Sequence, residues 1–79
     1  MKERLARYIA HDLLNQGQLV IADDEDLLGS GLLDSLSVMS LVHFIEQELH
    51  IAVPAEDVTI ENFVSLSSID RYLAERGAR

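Results

Sequence analysis

The residues whose types and spacing could do chemistry lie between Gly31 and Met39, where a polar stretch meets an apolar helical pattern. Asp34 is a good helix N-cap, because its short carboxylate can accept hydrogen bonds from the free backbone N–H groups of a first turn. Ser35 falls in that first turn, where we expect its hydroxyl to face solvent. A phosphate attached there would meet free N–H groups and the positive end of the helix dipole. Ser35 is therefore predicted to be the attachment point of a phosphate-linked group.

The helix that begins here is predicted to run to Leu49 and to have two different faces. At about 100° per residue, one face collects the apolar residues expected in the core: Val38, Leu41, Val42, Ile45 and Leu49. Two more apolar residues, Leu36 and Met39, lie on the opposite side among polar ones. Apolar residues rimmed by polar groups on an outer face are typical of a docking surface. The predicted docking face consists of Leu36, Met39, His43 and Glu46.

The run from Gly31 to Leu36, Gly-Leu-Leu-Asp-Ser-Leu, resembles the phosphopantetheine attachment motif of acyl carrier proteins, whose core is Asp-Ser-Leu. The resemblance covers nearly the whole chain and points to a discrete, bacterial-type carrier. It implies that residues 1–79 form a single carrier domain. The implied fold is all-α, a small four-helix bundle with three longer helices, one short helix and a long loop between the first two.

The resemblance also implies a function without catalysis by the chain itself. Ser35 would bear 4′-phosphopantetheine, with Asp34 and Leu36 as neighbouring cofactor-site residues, after a phosphopantetheinyl transferase transfers the group from coenzyme A. The arm would carry acyl intermediates as thioesters in fatty-acid, polyketide or related specialised biosynthesis. Further partners would be a ligase that loads acyl or aminoacyl groups, and synthases and transferases with basic docking patches.

Departures from the family pattern keep other readings open. Carriers of primary fatty-acid synthesis resemble one another in having acids early and midway along the docking helix, where this chain has two serines and Gln47 and keeps Glu46 and Glu48. A specialised discrete carrier fits comparably well. Peptidyl carriers resemble a Gly-Gly-(His or Asp)-Ser-Leu pattern, which the leucine pair before Asp34 breaks, so an aminoacyl or peptidyl carrier ranks second. An unmodified acidic helical module that binds a basic partner is the alternative from another class.

Composition limits the class of protein further. With 79 residues the chain can form one modest core, and 48% apolar residues suffice to fold it. The net charge of −8 argues against nucleic-acid backbones and anionic membranes and favours partners with basic patches. The chain has no cysteine for a disulfide or thiolate metal site. Without a membrane-length apolar run or a signal-peptide core, we expect a cytoplasmic monomer that does not insert into membranes.

Spacing tests exclude two other kinds of site. A serine hydrolase needs a base beside its nucleophile, but His43 lies about 12 Å from Ser35 along one helix. An EF-hand that begins at Asp24 would place Leu28 and Ser35 at its fifth and twelfth positions, where an oxygen ligand and a bidentate glutamate are required. We therefore expect no catalytic or metal site and place all three histidines at the surface.

The first third of the chain predicts one helix and a loop. The helix covers residues 2–14, with Gly17 as its C-terminal cap and the following residues inward: Leu5, Tyr8, Ile9 and Leu13. Residues 18–34 are expected to be a loop in which the apolar run Leu19–Ile21 covers the bundle. The acidic run Asp23–Asp26 is predicted to cap a short turn that contains Leu27 and Leu28.

The last third predicts two helices separated by an irregular segment. Pro54 is expected to open a short helix that runs through Val58. The segment Thr59–Val64 is expected to be irregular, with Ile60 and Phe63 available for the core. Ser65 is predicted to cap a final helix that ends at Gly77.

Overall fold

The computed structural model describes residues 1–78. Within these residues the secondary structure is entirely helical. The elements in chain order are α1 (Lys2–Tyr8), a π-helical segment (Ile9–Leu13), α2 (Ser35–Leu49), a 3-10 turn (Ala55–Asp57), α3 (Ile60–Phe63) and α4 (Leu66–Glu75). The predicted all-α bundle is confirmed, because three longer helical rods and one short helix are joined with a long connection after the first.

The helices enclose one hydrophobic core. α1 packs against α4, α3 packs against α4, and the π-helical segment contacts α2. The largest fully buried side chains come from every helix and from the long loop: Leu5, Ile9, Leu27, Leu41, Ile45, Phe63, Leu66, Ile69 and Leu73. The loop therefore contributes to the core rather than merely connecting helices.

The two predicted faces of α2 are confirmed. Its core-side residues are buried: Val38, Leu41, Val42 and Ile45. Leu49, at the end of the helix, is half-buried against the same core. On the other side, Leu36 is 80% exposed and Met39 is 58% exposed. The helix thus uses one apolar stripe for folding and leaves two apolar residues on its outer side.

The first helix ends differently from the sequence-based expectation. Its last turns are π-helical, and the Leu14 N–H donates to the carbonyl of Ile9 at 2.9 Å, five residues back. Asn15 then takes the left-handed conformation, with φ 52°. Gly17 was therefore wrongly predicted as the cap, because the chain already reverses two residues earlier at an asparagine, a residue type that tolerates this conformation.

The long loop alternates between buried and exposed residues. Ile21 is buried and Leu19 is half-buried, but Val20 is 87% exposed. The prediction that all three cover the bundle is wrong for Val20, because successive side chains of extended backbone point to opposite sides. Further along, the carboxylate of Asp26 accepts from the Gly29 N–H at 2.6 Å and caps the predicted turn.

The segment after Val58 is more ordered than predicted. The Thr59 hydroxyl oxygen accepts from the Asn62 N–H at 3.2 Å and caps the one-turn helix α3. Phe63 is buried as expected, whereas Ile60 is 72% exposed and was wrongly assigned to the core. In so short a helix Phe63 fills the core position, and Ile60 is left at the outer end. The final helix follows the prediction, since the Ser65 hydroxyl accepts from the Ser68 N–H.

Substitutions on the two faces of α2 should separate folding from function. We expect Ile45→Ala to lower the free energy of unfolding by about 2–5 kcal/mol, because it leaves a cavity at a residue with no exposed surface. Leu36→Ala should lower it by less than about 0.5 kcal/mol, as is usual for exposed positions. Urea unfolding followed by circular dichroism measures both. If Ile45→Ala does not fold, Ile45→Val provides the comparison, with an expected loss of about 0.5–1.5 kcal/mol. Equal losses on the two faces would contradict the assignment.

Candidate functional site

Two buried leucines of the long loop place the start of α2. Leu27 and Leu33 are almost fully buried, at 0% and 3% exposed. The Leu27 N–H donates to the Val64 carbonyl at 2.7 Å, and the Leu33 N–H donates to the Leu27 carbonyl at 2.9 Å. Before the second anchor the chain turns at Gly31, whose φ of 83° favours glycine. Because Leu33 points inward, the residues that directly follow it begin α2 at the surface.

Asp34 caps α2 as predicted. Its backbone is extended, and its Oδ1 accepts from the Ser37 N–H at 2.8 Å. The backbone N–H of Ser37 and then its side chain, by hydrogen bonding to the carboxylate, hold the pKa of Asp34 below its usual value. The carboxylate is therefore ionised at neutral pH, at the positive end of the helix.

Ser35 is the first residue of α2, and its side chain is exposed. Within residues 1–78 its hydroxyl makes no hydrogen bond. The serine opens onto an apolar cleft of about 290 Å³ between α2 and the segment that contains α3. The cleft is lined by Leu28, Asp34, Ser35, Val38, Met39, Val58, Thr59, Ile60 and Phe63. The hydroxyl can thus react with a large reagent, and a group attached to it has an apolar surface nearby.

Three of the four residues predicted for docking are freely exposed on α2: Leu36, Met39 and His43. Glu46 is half-buried instead, and its Oε2 accepts from the Val53 N–H at 2.8 Å. Exposure alone does not test the docking role, which stays a prediction for all four residues. The structure shows that Glu46 also holds the segment after α2.

Ile60 is a surface residue that sequence reasoning missed at this site. It lines the same cleft as Ser35 and Met39, although it was expected inside the core. Thr59 was the available signal, because threonine is a favoured N-cap and a helix that starts there places Ile60 in its first turn.

Within residues 1–78, no three His, Asp or Glu side chains are placed to hold a metal ion together. No helix in this range is long and apolar enough to cross a membrane.

A family model described as a phosphopantetheine attachment site matches residues 4–73, from α1 into α4. The chain belongs to this phosphopantetheine carrier family. Domains of the family are the site of covalent 4′-phosphopantetheine attachment, so the predicted cofactor is confirmed. They are carriers and not enzymes, which supports the expectation that this chain contributes no catalytic group.

A solved structure shares the fold of this carrier domain. A chain in the crystal structure of an FAD-dependent dehydrogenase matches it with a TM-score of 0.77 and 26% sequence identity. The match covers 86% of this chain and 96% of that one. No curated protein sequence matches this chain.

The surroundings of Ser35 fit the group that the carrier family bears. A phosphodiester needs an accessible hydroxyl, and that of Ser35 is exposed and makes no hydrogen bond within the described residues. First-turn N–H groups that Asp34 does not use lie at the same helix end and favour an anionic phosphate. Met39 and Ile60 offer apolar contact to the remainder of the group.

The contribution of the Asp34 carboxylate to stability can be tested by its dependence on pH. A carboxyl whose pKa is lowered by folding stabilises the fold above its unfolded pKa, and this contribution is lost as pH falls through the folded pKa. We expect Asp34→Asn to lower the melting temperature at pH 7, with the difference from wild type shrinking as pH falls from about 5 to 2. Asp24→Asn is the matched control, since it removes the same charge from an exposed side chain. Because asparagine can still cap the helix, equal melting profiles for the two variants would contradict a stabilising role of the Asp34 charge at the start of α2.

Proposed function

We propose that Ser35 carries 4′-phosphopantetheine and that residues 1–79 act as one carrier domain for acyl groups, with aminoacyl groups as the second candidate. The observation that carries the proposal is the exposed hydroxyl at the capped start of α2, inside the region that matches the carrier family. We place the carrier in a specialised biosynthetic pathway in the cytoplasm. The sparse acidic residues on the outer side of α2 support a specialised pathway over primary fatty-acid synthesis.

The chain's own part in loading is to present a nucleophile. The Ser35 oxygen forms a bond to the phosphorus next to the pantetheine of coenzyme A, the pyrophosphate bond breaks and adenosine 3′,5′-bisphosphate leaves. The hydroxyl proton passes to a base of the transferase. A separate transferase catalyses this step. Within residues 1–78 no side chain is hydrogen-bonded to the Ser35 hydroxyl, and His43 lies about 12 Å further along the helix. When attached, the group supplies a thiol that holds the carried acyl group as a thioester.

After loading, the contribution of the carrier is positioning. Its tether keeps the carried group at high effective concentration for whichever enzyme binds the domain. Leu36 and Met39 follow Ser35 on the exposed side of α2 and provide a small apolar contact, while the net charge of −8 attracts basic patches on partners. Small contacts with electrostatic steering give fast and reversible association, which suits successive deliveries.

One class of partner is supported by the structural comparison. The matched chain belongs to a crystal structure of an FAD-dependent dehydrogenase and is covered almost completely by this domain. We therefore include a flavin-dependent dehydrogenase that oxidises a carried group among the candidate partners. The other proposed partners are a phosphopantetheinyl transferase, a loading ligase, and synthases or transferases with basic docking patches.

The attachment site is tested by mass spectrometry. After incubation with coenzyme A, magnesium and a broad-specificity phosphopantetheinyl transferase, we expect wild type to gain the mass of one phosphopantetheine group. Ser35→Ala should gain none. Ser40→Ala is the matched control and should be modified fully, because it removes another exposed hydroxyl from the same helix. A modified Ser35→Ala variant would refute attachment at Ser35. An unmodified wild type would refute the carrier assignment and favour a plain interaction module.

The docking face is tested with alanine substitutions of two exposed apolar residues. We expect Leu36→Ala to slow transfer of the arm by about tenfold, which corresponds to an apolar contact worth about 1.4 kcal/mol. Val20→Ala should leave the rate unchanged, because Val20 is as exposed as Leu36 but lies beside α1. The rate constant is measured under conditions where transfer follows kcat/KM. Similar rates for both variants would exclude Leu36 from the contact.

A further inference from the structure

A line of four residues runs along α2 from the attachment site. Ser35, Met39, Val42 and Glu46 are spaced four, three and four residues apart. At about 100° per residue they fall within about 60° of one another around the helix. Glu46 is eleven positions after Ser35, so it lies about 16 Å from Ser35 along the axis. The line begins at a hydroxyl, crosses apolar side chains and ends at a carboxylate.

The chain after α2 provides a second wall and turns this line into a groove. The cleft of about 290 Å³ at Ser35 is followed by a second one of about 400 Å³ that reaches Glu46. Met39 and Val58 line both clefts and separate them. Met39 is 58% exposed, and its unbranched thioether side chain adopts several shapes easily. A thin chain can therefore pass Met39 and occupy both clefts.

The far end of the groove holds a positioned carboxylate. Glu46 is half-buried, and its Oε2 accepts from the Val53 N–H, whereas its other oxygen has no partner within residues 1–78. The second wall is held in place from α4, since Arg76 donates to the Ala52 carbonyl at 2.8 Å and Tyr72 donates to Asp57 at 2.5 Å. Glu46 is the one charged residue among those that line this second cleft, and its carboxylate would attract a cationic group there.

The length of the prosthetic arm matches this groove. About fourteen bonds separate the serine oxygen from the terminal sulfur of phosphopantetheine, which equals nearly five residues of extended chain, or about 16 Å. An arm laid along α2 from Ser35 therefore brings the carried group beside Glu46. The groups nearest to it are apolar: Val42, Val53, Ala55 and Val58.

We propose that this groove accepts an aminoacyl group on the arm, with its α-ammonium paired to Glu46 and its side chain against Val42 and Val53. This rests on the proposed attachment at Ser35. A carried group with a free carboxylate is disfavoured, because it meets Glu46 in a chain of net charge −8. A long alkyl chain is also disfavoured, because it would remove water from the carboxylate without replacing it by a partner. The groove thus selects for a cationic group of modest size.

Two carried groups that differ only in the amine test the proposal. Stable amide-linked coenzyme A analogues place valyl or 3-methylbutanoyl groups on the full chain through the transferase, and mass spectrometry verifies loading. The readout is the Val53 amide signal in ¹H–¹⁵N spectra, because this N–H bonds to Glu46. We expect the valyl group, but not 3-methylbutanoyl, to shift this signal from its position in the form with the unloaded arm.

The variant Glu46→Gln should abolish the valyl-specific shift. Its amide oxygen can still accept from Val53, so the fold is kept while the charge is removed. Glu48→Gln removes the same charge from the side of α2 that pairs with Arg4, and it should keep the shift. Equal signals for the two loaded forms, or a valyl-specific shift that persists in Glu46→Gln, would overturn the proposal. A wild-type chain that accepts neither group would instead refute attachment at Ser35.

Discussion

The insertion of Leu33 into the core is the constraint on which the site depends. Burying a leucine contributes up to about 1.5–3 kcal/mol, and Leu27, which accepts the Leu33 N–H through its carbonyl, adds a second buried side chain. A bond from Leu27 to Val64 ties both to the segment before α4. With the loop held at this point, the next residues have to leave the core, and Asp34 and Ser35 emerge at the surface. The long loop is therefore a positioning element for the serine.

α2 combines two demands that conflict in a small protein. Its inner stripe supplies four buried apolar residues to the core. Its outer side keeps Leu36 and Met39 largely exposed. Contact of these apolar side chains with water is unfavourable, and it promotes aggregation. The net charge of −8 opposes aggregation, because copies of the chain repel one another. The charge of the chain therefore counteracts the self-association that these exposed apolar residues would favour.

The segment between α2 and α3 is irregular, yet side chains hold it at both ends. The Glu46 carboxylate accepts a hydrogen bond from the Val53 N–H. The Asp57 carboxylate accepts one from the Tyr72 hydroxyl. Burial first, and then the hydrogen bond to Asp57, raise the pKa of Tyr72, so this hydroxyl stays a donor up to alkaline pH. Its stabilising effect is present below the ordinary tyrosine pKa and is lost as pH rises through the raised value. These contacts give the groove beside α2 a defined second wall.

Short-range sequence patterns determined where the main helices begin and which of their faces are buried. Helical spacing after an aspartate and serine was sufficient to place α2, its cap and both of its faces, because hydrogen bonds within one turn and a continuous apolar stripe act over short sequence distances. The same reasoning located Ser65 as the cap of α4, and Gly77, with φ 72°, just beyond its end. The motif around Ser35 also identified the carrier family before the fold was known.

Short irregular segments were decided only by the tertiary structure. Val20 and Ile60 carry the same apolar character as their buried neighbours Ile21 and Phe63, but only one residue of each pair finds space in the core. Similarly, Asn15 reverses the chain before Gly17 because the helix ends in a π-helical turn. Propensity cannot resolve such choices, since they depend on which positions the packed helices leave open. The groove from Ser35 to Glu46 is another feature that the sequence alone could not predict, because its second wall comes from residues brought there by the fold.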